Sequence, residues 1–303
     1  MRRDLGWPMP ADDVIPGDGG ARATASGVIG VLVADLTDPF CARIIDGVQH
    51  QMFLADHLAL VCSTGDDPLR EIAQLERLRR LRARGVILIG GTVRGLRHRL
   101  ELSKLLKDFL RRGVDVVLCG RPPLPGLHRA STITFDNIGG TVRLIEFLTG
   151  LGHRRIGYLT GPPRDPATRE RLRGFRAATR EHDPRLVVEG AFTWDSGWRA
   201  SQELLRHNDV TAIVAANDLM ARGALAAARA LGKAVPGQLS VAGFGDAGFC
   251  RDTRPPLTTV RLPLQEAGAE AGRLACGIGA PPRTGVLRLG SELVVRRTTG
   301  VRS

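Results

Sequence analysis

Short aliphatic runs alternate with amphipathic stretches along this chain, and the alternation occurs twice over. In the first series the runs fall at 28–34, 58–63, 85–90 and 114–119, each nearly unbroken Val, Ile, Leu, Ala or Gly. Strands of that kind are covered on both faces, as in a parallel sheet flanked by helices. Helices are expected between them at 40–55, 67–83 and 100–112. In the second of these Ile72, Leu75, Leu78 and Leu81 recur at three-residue steps against Arg77, Arg79, Arg80 and Arg82, and Asp66-Asp67-Pro68 supplies the cap and a first-turn proline.

The pattern then starts again, with strands expected at 155–160, 186–192, 211–216 and 239–244 and helices at 137–150, 166–181, 196–207 and 218–231. At 303 residues the chain is long enough for two such units. The fold class is therefore α/β, with two doubly wound parallel-sheet lobes connected by right-handed crossovers. Toward the end the order breaks into a strand at 257–262, a helix at 263–277 and strand-like sequence at 285–298, which suits chain crossings between lobes. The expected division is a tail at 1–26, a first lobe at 27–135 to which 263–284 returns, and a second lobe at 136–262 with the strand segment 285–303. Ligands of open α/β sheets bind beyond the carboxyl ends of the strands, so two lobes joined at a hinge imply a cleft between them.

Composition removes several classes. No apolar run reaches the roughly 18 residues of a membrane span, and the expectation is a cytoplasmic protein without a membrane partner. Cys41, Cys62, Cys119, Cys250 and Cys276 show no C-x-x-C spacing, so neither a metal site nor a cofactor is expected. The net charge of +12 is carried almost wholly by arginine, scattered over many helices, which alone supports only non-specific contact with polyanions. Gly243-Phe-Gly-Asp-Ala-Gly248 matches a dinucleotide fingerprint in letters, but the prolines at 255 and 256 leave no helix to receive a pyrophosphate. No catalytic residue is assigned and no enzyme is expected.

Eight segments stand in a recognisable order: Asp35-Leu-Thr-Asp-Pro-Phe40, Phe135-Asp-Asn-Ile-Gly-Gly140, Leu151-Gly-His-Arg-Arg-Ile-Gly-Tyr158, Arg171-Leu-Arg-Gly-Phe175, Ala216-Asn-Asp-Leu-Met-Ala221, Leu239-Ser-Val-Ala-Gly-Phe244, Pro256-Leu-Thr-Thr-Val260 and Glu292-Leu-Val-Val-Arg296. Over residues 27–299 the sequence resembles the effector domain of the LacI/GalR family of transcriptional regulators, which has the type I periplasmic-binding-protein-like fold. The resemblance implies a small polar, sugar-like ligand in the cleft, a homodimer, and lobe closure passed on to DNA binding. It carries Phe40 over as a stacking ring and Arg171 as a fork of N–H donors for ligand oxygens. Phe192 is the second aromatic, with Trp194 as its competitor, and Asn217 is the amide that reads hydroxyls. Asp66 follows the second strand and joins the candidates by position. Each has a plainer reading: Phe40 as core packing, Arg171 as a salt-bridge partner, Asn217 as a helix cap.

Two departures bear on specificity. Cys41 stands where many members carry another aromatic. Gly243-Phe244-Gly245-Asp246 replaces the common Gly-Phe-Asp, so Asp246 is displaced by one position and points the other way at a strand end. Asp136 and Asn137 are expected to fix the hinge, and helices 40–55 and 263–277 to contribute to the dimer. Residues ahead of 28 are too broken by Pro8, Pro10, Pro16 and Gly17-Asp-Gly-Gly20 to form a helix-turn-helix. Arg3-Asp-Leu-Gly-Trp7 resembles the end of a family headpiece, so DNA is expected as a partner only if a helix-turn-helix is encoded upstream. The alternatives are a transporter's solute-binding protein and a headpiece-free regulator acting through mixed dimers.

Overall fold

The computed structural model describes residues 26–91, 95–179, 183–207 and 209–302. The expectations for the 1–26 tail and its Arg3 to Trp7 segment fall on residues 1–25 and so lie outside the described residues, as does the end of the helix expected at 166–181.

The first half runs β1 (Ser26–Val33), α1 (Pro39–Leu54), β2 (Leu58–Ser63), α2 (Pro68–Arg80), β3 (Ala83–Ile89), α3 (Gly95–Arg111), β4 (Asp115–Cys119) and β5 (Ser131–Phe135). The second runs α4 (Asn137–Gly150), β6 (Ile156–Thr160), α5 (Pro166–Ala178), β7 (Val187–Glu189), α6 (Trp194–His207), β8 (Ala212–Ala215), α7 (Asp218–Ala230), β9 (Ser240–Gly245) and β10 (Thr258–Arg261). Then come α8 (Leu264–Ala275), β11 (Val286–Leu289) and β12 (Glu292–Val294). Two six-stranded sheets result, ordered β11-β5-β4-β3-β1-β2 and β12-β10-β9-β8-β6-β7. Their described pairs are parallel except β10 with β12.

Three features differ from the sequence reading. First, β5 was not expected, because Ser131-Thr-Ile-Thr-Phe135 alternates polar with apolar and lacks the aliphatic density of its neighbours; Thr132 is nevertheless buried. Second, the segment 285–303 does not belong to the second lobe as a unit. β11 adds to the first sheet beside β5, and Gly290 and Ser291 carry the chain across to β12 in the second. Third, the buried face of α2 is rotated: Leu75 and Leu78 are buried, Leu81 is 55% exposed, and Glu71 is buried instead. Three-residue steps lag a helix by about 60° each, so a ladder from 72 to 81 ends on the opposite face.

α8 lies against α1, and the two backbones approach closely. A Cβ at Gly47 would fall 2.8 Å from the amide of Ala269, and one at Gly268 would strike the carbonyl of Ile44, so both positions require glycine. These helices, expected at a dimer contact, therefore spend their glycine faces on each other within one chain. The chain passes between the lobes at 136, at 262–263 and at 290–291. Arg143 pins the first crossing to the third, donating from Nη2 to Ser291 Oγ at 2.7 Å and to Asp136 Oδ2 at 3.1 Å.

Candidate functional site

The carboxyl ends of both sheets face a cleft of about 1260 Å³. That exceeds the roughly 300–1,000 Å³ of most small-ligand pockets. From the first lobe, Asp38 caps α1 by accepting the Phe40 amide at 3.0 Å, and Pro39 begins the helix. Phe40 is thereby set at the cleft with its ring edge-on to Phe135, centroids 5.8 Å apart. The same device starts α5 in the second lobe, where Asp165 accepts the Thr168 amide at 2.8 Å and Pro166 leads the helix.

Arg171 follows on α5 and is 6% exposed. Its Nε donates to Asn137 Oδ1 at 2.9 Å, its Nη1 donates to the carbonyl of Ala216, and its guanidinium lies 4.1 Å from the centroid of Phe244. Asn137 in turn donates to Glu170 Oε2 at 2.8 Å. It thus orients Arg171 and not the hinge backbone, which falls to Asp136 accepting the Gly139 amide. Burial lowers the Arg171 pKa from its ordinary value, opposed by Tyr158, Asp165 and Asp218. Burial also raises Asp165, with Arg171 opposing. Asp38 is raised by burial foremost, with Asp35 and Asp165 adding and Arg171 opposing, so charges from the two lobes act on one another across the cleft.

Among the other expected residues, Phe192 and Asp66 line the cleft. Asn217 lines it too, and caps α7: its Oδ1 accepts the Met220 amide at 2.9 Å while its Nδ2 donates to the Phe192 carbonyl at 3.1 Å. Capping and facing the cleft are here the same placement, since the amide that starts α7 also holds the loop bearing Phe192. Cys41 borders the cleft but is 2% exposed, and burial pushes its thiol up to about 12. It fills core space instead of offering a surface. Asp246 borders the cleft at φ +56, with both oxygens engaged by arginines: Arg261 Nε at the second crossing at 2.7 Å and Arg296 Nη2, just past β12, at 2.6 Å. Burial works to raise its pKa, and the two arginines overcome this and lower it.

Trp194 is the exception. It lies outside the cleft, 38% exposed, stacked on Trp198 with centroids 6.4 Å apart. As the first residue of α6 it turns along the helix surface, leaving Phe192 as the second-lobe aromatic at the cleft.

Sequence reasoning missed a buried cluster behind the first wall. Arg121, just past β4, lines the cleft and donates from Nε to the Gly90 carbonyl and from Nη2 to Glu71 Oε1. His98 Nε2 contacts the other Glu71 oxygen at 2.9 Å. Burial acts to raise the Glu71 pKa, and the charge of Arg121 and the bond to His98 overcome it and hold the carboxylate low. No local signal marks this trio, since its members come from three different elements. The capping carboxylates Asp38 and Asp165 were visible as Asp-Pro pairs.

The periplasmic binding protein-like domain family matches residues 145–299, about half the chain. The regulator GalR of Salmonella typhimurium is 31% identical over 280 residues, covering 90% of this chain and 79% of GalR. This chain belongs to the LacI/GalR family of transcriptional regulators. The LacI/GalR-family regulator CelR of Thermobifida fusca is 42% identical over 167 residues, 54% of this chain and 49% of CelR. A solved complex of CelR with cellobiose superposes at a TM-score of 0.77 with 31% identity, over 90% of this chain and 84% of that one. The LacI/GalR relatives are regulators and their effector lobes have the architecture described above. Among the described residues no helix is long and apolar enough to cross a membrane.

Proposed function

We propose that this chain senses a small, polar, sugar-like effector in the inter-lobe cleft and converts its binding into a change of lobe angle that controls DNA binding. The observation that carries this reading is Arg171: a buried guanidinium held by neutral acceptors and a ring face, with no carboxylate among the described residues bonded to it although Asp165, Asp218 and Glu170 act on it through space, so its remaining donor capacity is left for a ligand. Phe40 from one lobe and Phe192 from the other provide apolar faces on either side, and Asn217 orients the Phe192 loop. A ligand that touches both walls binds the closed arrangement better than the open one and shifts the population by that difference. The same reading takes the first lobe as 27–135 with 263–289 and the second as 136–262 with 290–303.

The protein acts in the cytoplasm as a homodimer in this proposal. Support comes from the edge of the first sheet, where Leu58 on β2 and Phe53 at the end of α1 are 73% and 77% exposed, an apolar edge that a second copy would cover. DNA contact requires a helix-turn-helix of the kind that names its relatives. Isothermal titration with sugars, nucleosides and sugar acids tests the sensing role. Saturable binding to one class is expected, lost in Arg171→Ala; binding that survives this substitution unchanged would overturn the site. Light scattering of Leu58→Lys tests the dimer, with a monomer expected.

A further inference from the structure

Parallel strands put all their amino ends at one pole of a sheet and all their carboxyl ends at the other. In the first lobe the carboxyl ends form the cleft wall, so the start of β1 and the segments leading into β3, β4 and β5 gather at the far pole. The 8 residues of β1 separate the two poles by about 25 Å. Arginines scattered along the sequence meet there. Arg82 and Arg84 flank Ala83, which pairs with Ser26 at the start of β1. Arg111 ends α3, Arg112 follows it on the way to β4, and Arg129 lies just ahead of β5. All of them are exposed.

Asp108 and Asp115 stand among these arginines and are already engaged. Asp108 is shared by Arg112 at 2.8 Å, Arg111 at 3.3 Å and Arg79 at 3.6 Å. Burial raises the pKa of Asp115, with Arg84 and Arg129 opposing, so these two arginines reach one carboxyl from separate elements. The pole is left with an excess of positive charge. A plainer account is that arginine at a helix C-terminus offsets the negative end of the helix dipole, an effect confined to the last turn. That covers Arg79, Arg111 and Arg112, whereas Arg82 lies past α2, Arg84 lies on β3 and Arg129 precedes β5. Arg82 also holds φ +56, a left-handed conformation that glycine adopts freely and an L side chain resists. Its guanidinium is carried there against the preference of the backbone.

We propose, resting on the DNA-controlling function given above, that the amino pole of the first lobe is a phosphate-binding face that lies on the backbone of duplex DNA. In that function a helix-turn-helix precedes β1, and whatever precedes β1 joins the lobe at Ser26, beside Arg82 and Arg84. The pole is thus the side of the lobe turned toward DNA. The helix-turn-helix is required for contact that reads bases; holding phosphates needs only charge, and the planar fork of arginine suits phosphate oxygens. Because the whole length of the sheet separates this face from the cleft, its grip on DNA is exerted without contact with the effector.

Fluorescence anisotropy of the full chain with a labelled random-sequence duplex of about 30 base pairs tests it, starting at about 20 mM salt, where weak binding that declines with rising salt is expected. Arg82→Gln, Arg84→Gln and Arg129→Gln together should weaken it about tenfold and flatten the log–log salt slope by about three, one unit for each lost phosphate contact. Arg111→Gln with Arg112→Gln should flatten the slope by about two, and serves if the triple variant does not fold. Arg169→Gln, Arg173→Gln and Arg176→Gln remove the same charge from the exposed side of α5 in the second lobe, and should leave affinity within about twofold. Absence of duplex binding, or equal weakening by the two triple variants, overturns the proposal; the second result means that net charge alone holds DNA. Displacement by polyglutamate as readily as by unlabelled duplex at equal charge assigns the face to acidic chains and overturns it as well. Each of these results leaves the effector site standing, because that site is decided by calorimetry with Arg171→Ala.

Discussion

Each wall of the cleft carries a buried arginine, and the two are held in opposite ways. In the second lobe Arg171 donates to an amide oxygen and a backbone carbonyl and rests against Phe244. In the first lobe Arg121 is clamped by the carboxylate of Glu71, which is backed by His98. Neutral acceptors satisfy donors without cancelling charge; a carboxylate cancels it. In the proposed function the same side chain is thus a reader in one wall and a brace in the other, where it ties α2 and α3 to the ends of β3 and β4. Two lobes built from the same alternation of strands and helices differ in what stands behind the arginine.

The largest test of this contrast is Glu71→Gln. Removing one partner of a buried ion pair leaves a charge without compensation, so urea unfolding should register a loss of about 3–5 kcal/mol. A loss below about 1 kcal/mol would mean that Arg121 is not braced by charge and would dissolve the distinction. Arg171→Ala should weaken effector binding about a hundredfold, or ~2.7 kcal/mol. It should also destabilise the unliganded protein by about 2 kcal/mol, because Asn137 Oδ1 and the Ala216 carbonyl lose their donor. Its burial thus sets aside any idea of a purely functional side chain. Phe40→Leu and Phe192→Leu should each cost about 1 kcal/mol of affinity, roughly fivefold in calorimetry.

A subtler effect concerns acid. The raised Asp165 favours its protonated form in the folded state, so its contribution to stability is complete below the ordinary value of 3.8 and is lost as pH rises through the folded value. Asp165→Asn keeps a good cap, and its melting temperature should gain on wild type as pH increases from 3 to 7. A constant gap would deny the burial penalty. Trp194→Ala should have the smallest effect, leaving affinity within twofold; a larger drop would bring α6 into the site.

Much of the architecture is legible because parallel strands covered on both faces must be aliphatic, and eleven of the twelve described strands advertise themselves that way or by position near the chain end. β5 hides because its threonines satisfy burial through the sheet and not through apolarity. The junction of β11 and β12 hides because nothing local tells which sheet a short strand joins; that is decided by Ser291 bonding to Arg143 and to the Asp136 carbonyl. At the site, motif order brought out Phe40, Arg171, Phe192 and Asn217, which sit on strand-end loops or within the first two turns of a helix. The choice between Phe192 and Trp194 depended on a helix start two residues away, beyond the resolution of periodicity. The Glu71, His98 and Arg121 cluster depended on contacts between residues 27 and 50 positions apart, which leave no mark on a helical face except one misplaced carboxylate.

The threefold passage of the chain between sheets has a practical consequence for anyone who would dissect this protein. A fragment cut at residue 136 would strip α8 and β11 from the amino-terminal piece, baring the glycine groove of α1 and the free edge of β5. The matched region 145–299 would carry those same elements away as orphans. Neither half is a separable module, and grafting this sensor onto another output demands transplanting both sheets as one inseparable body.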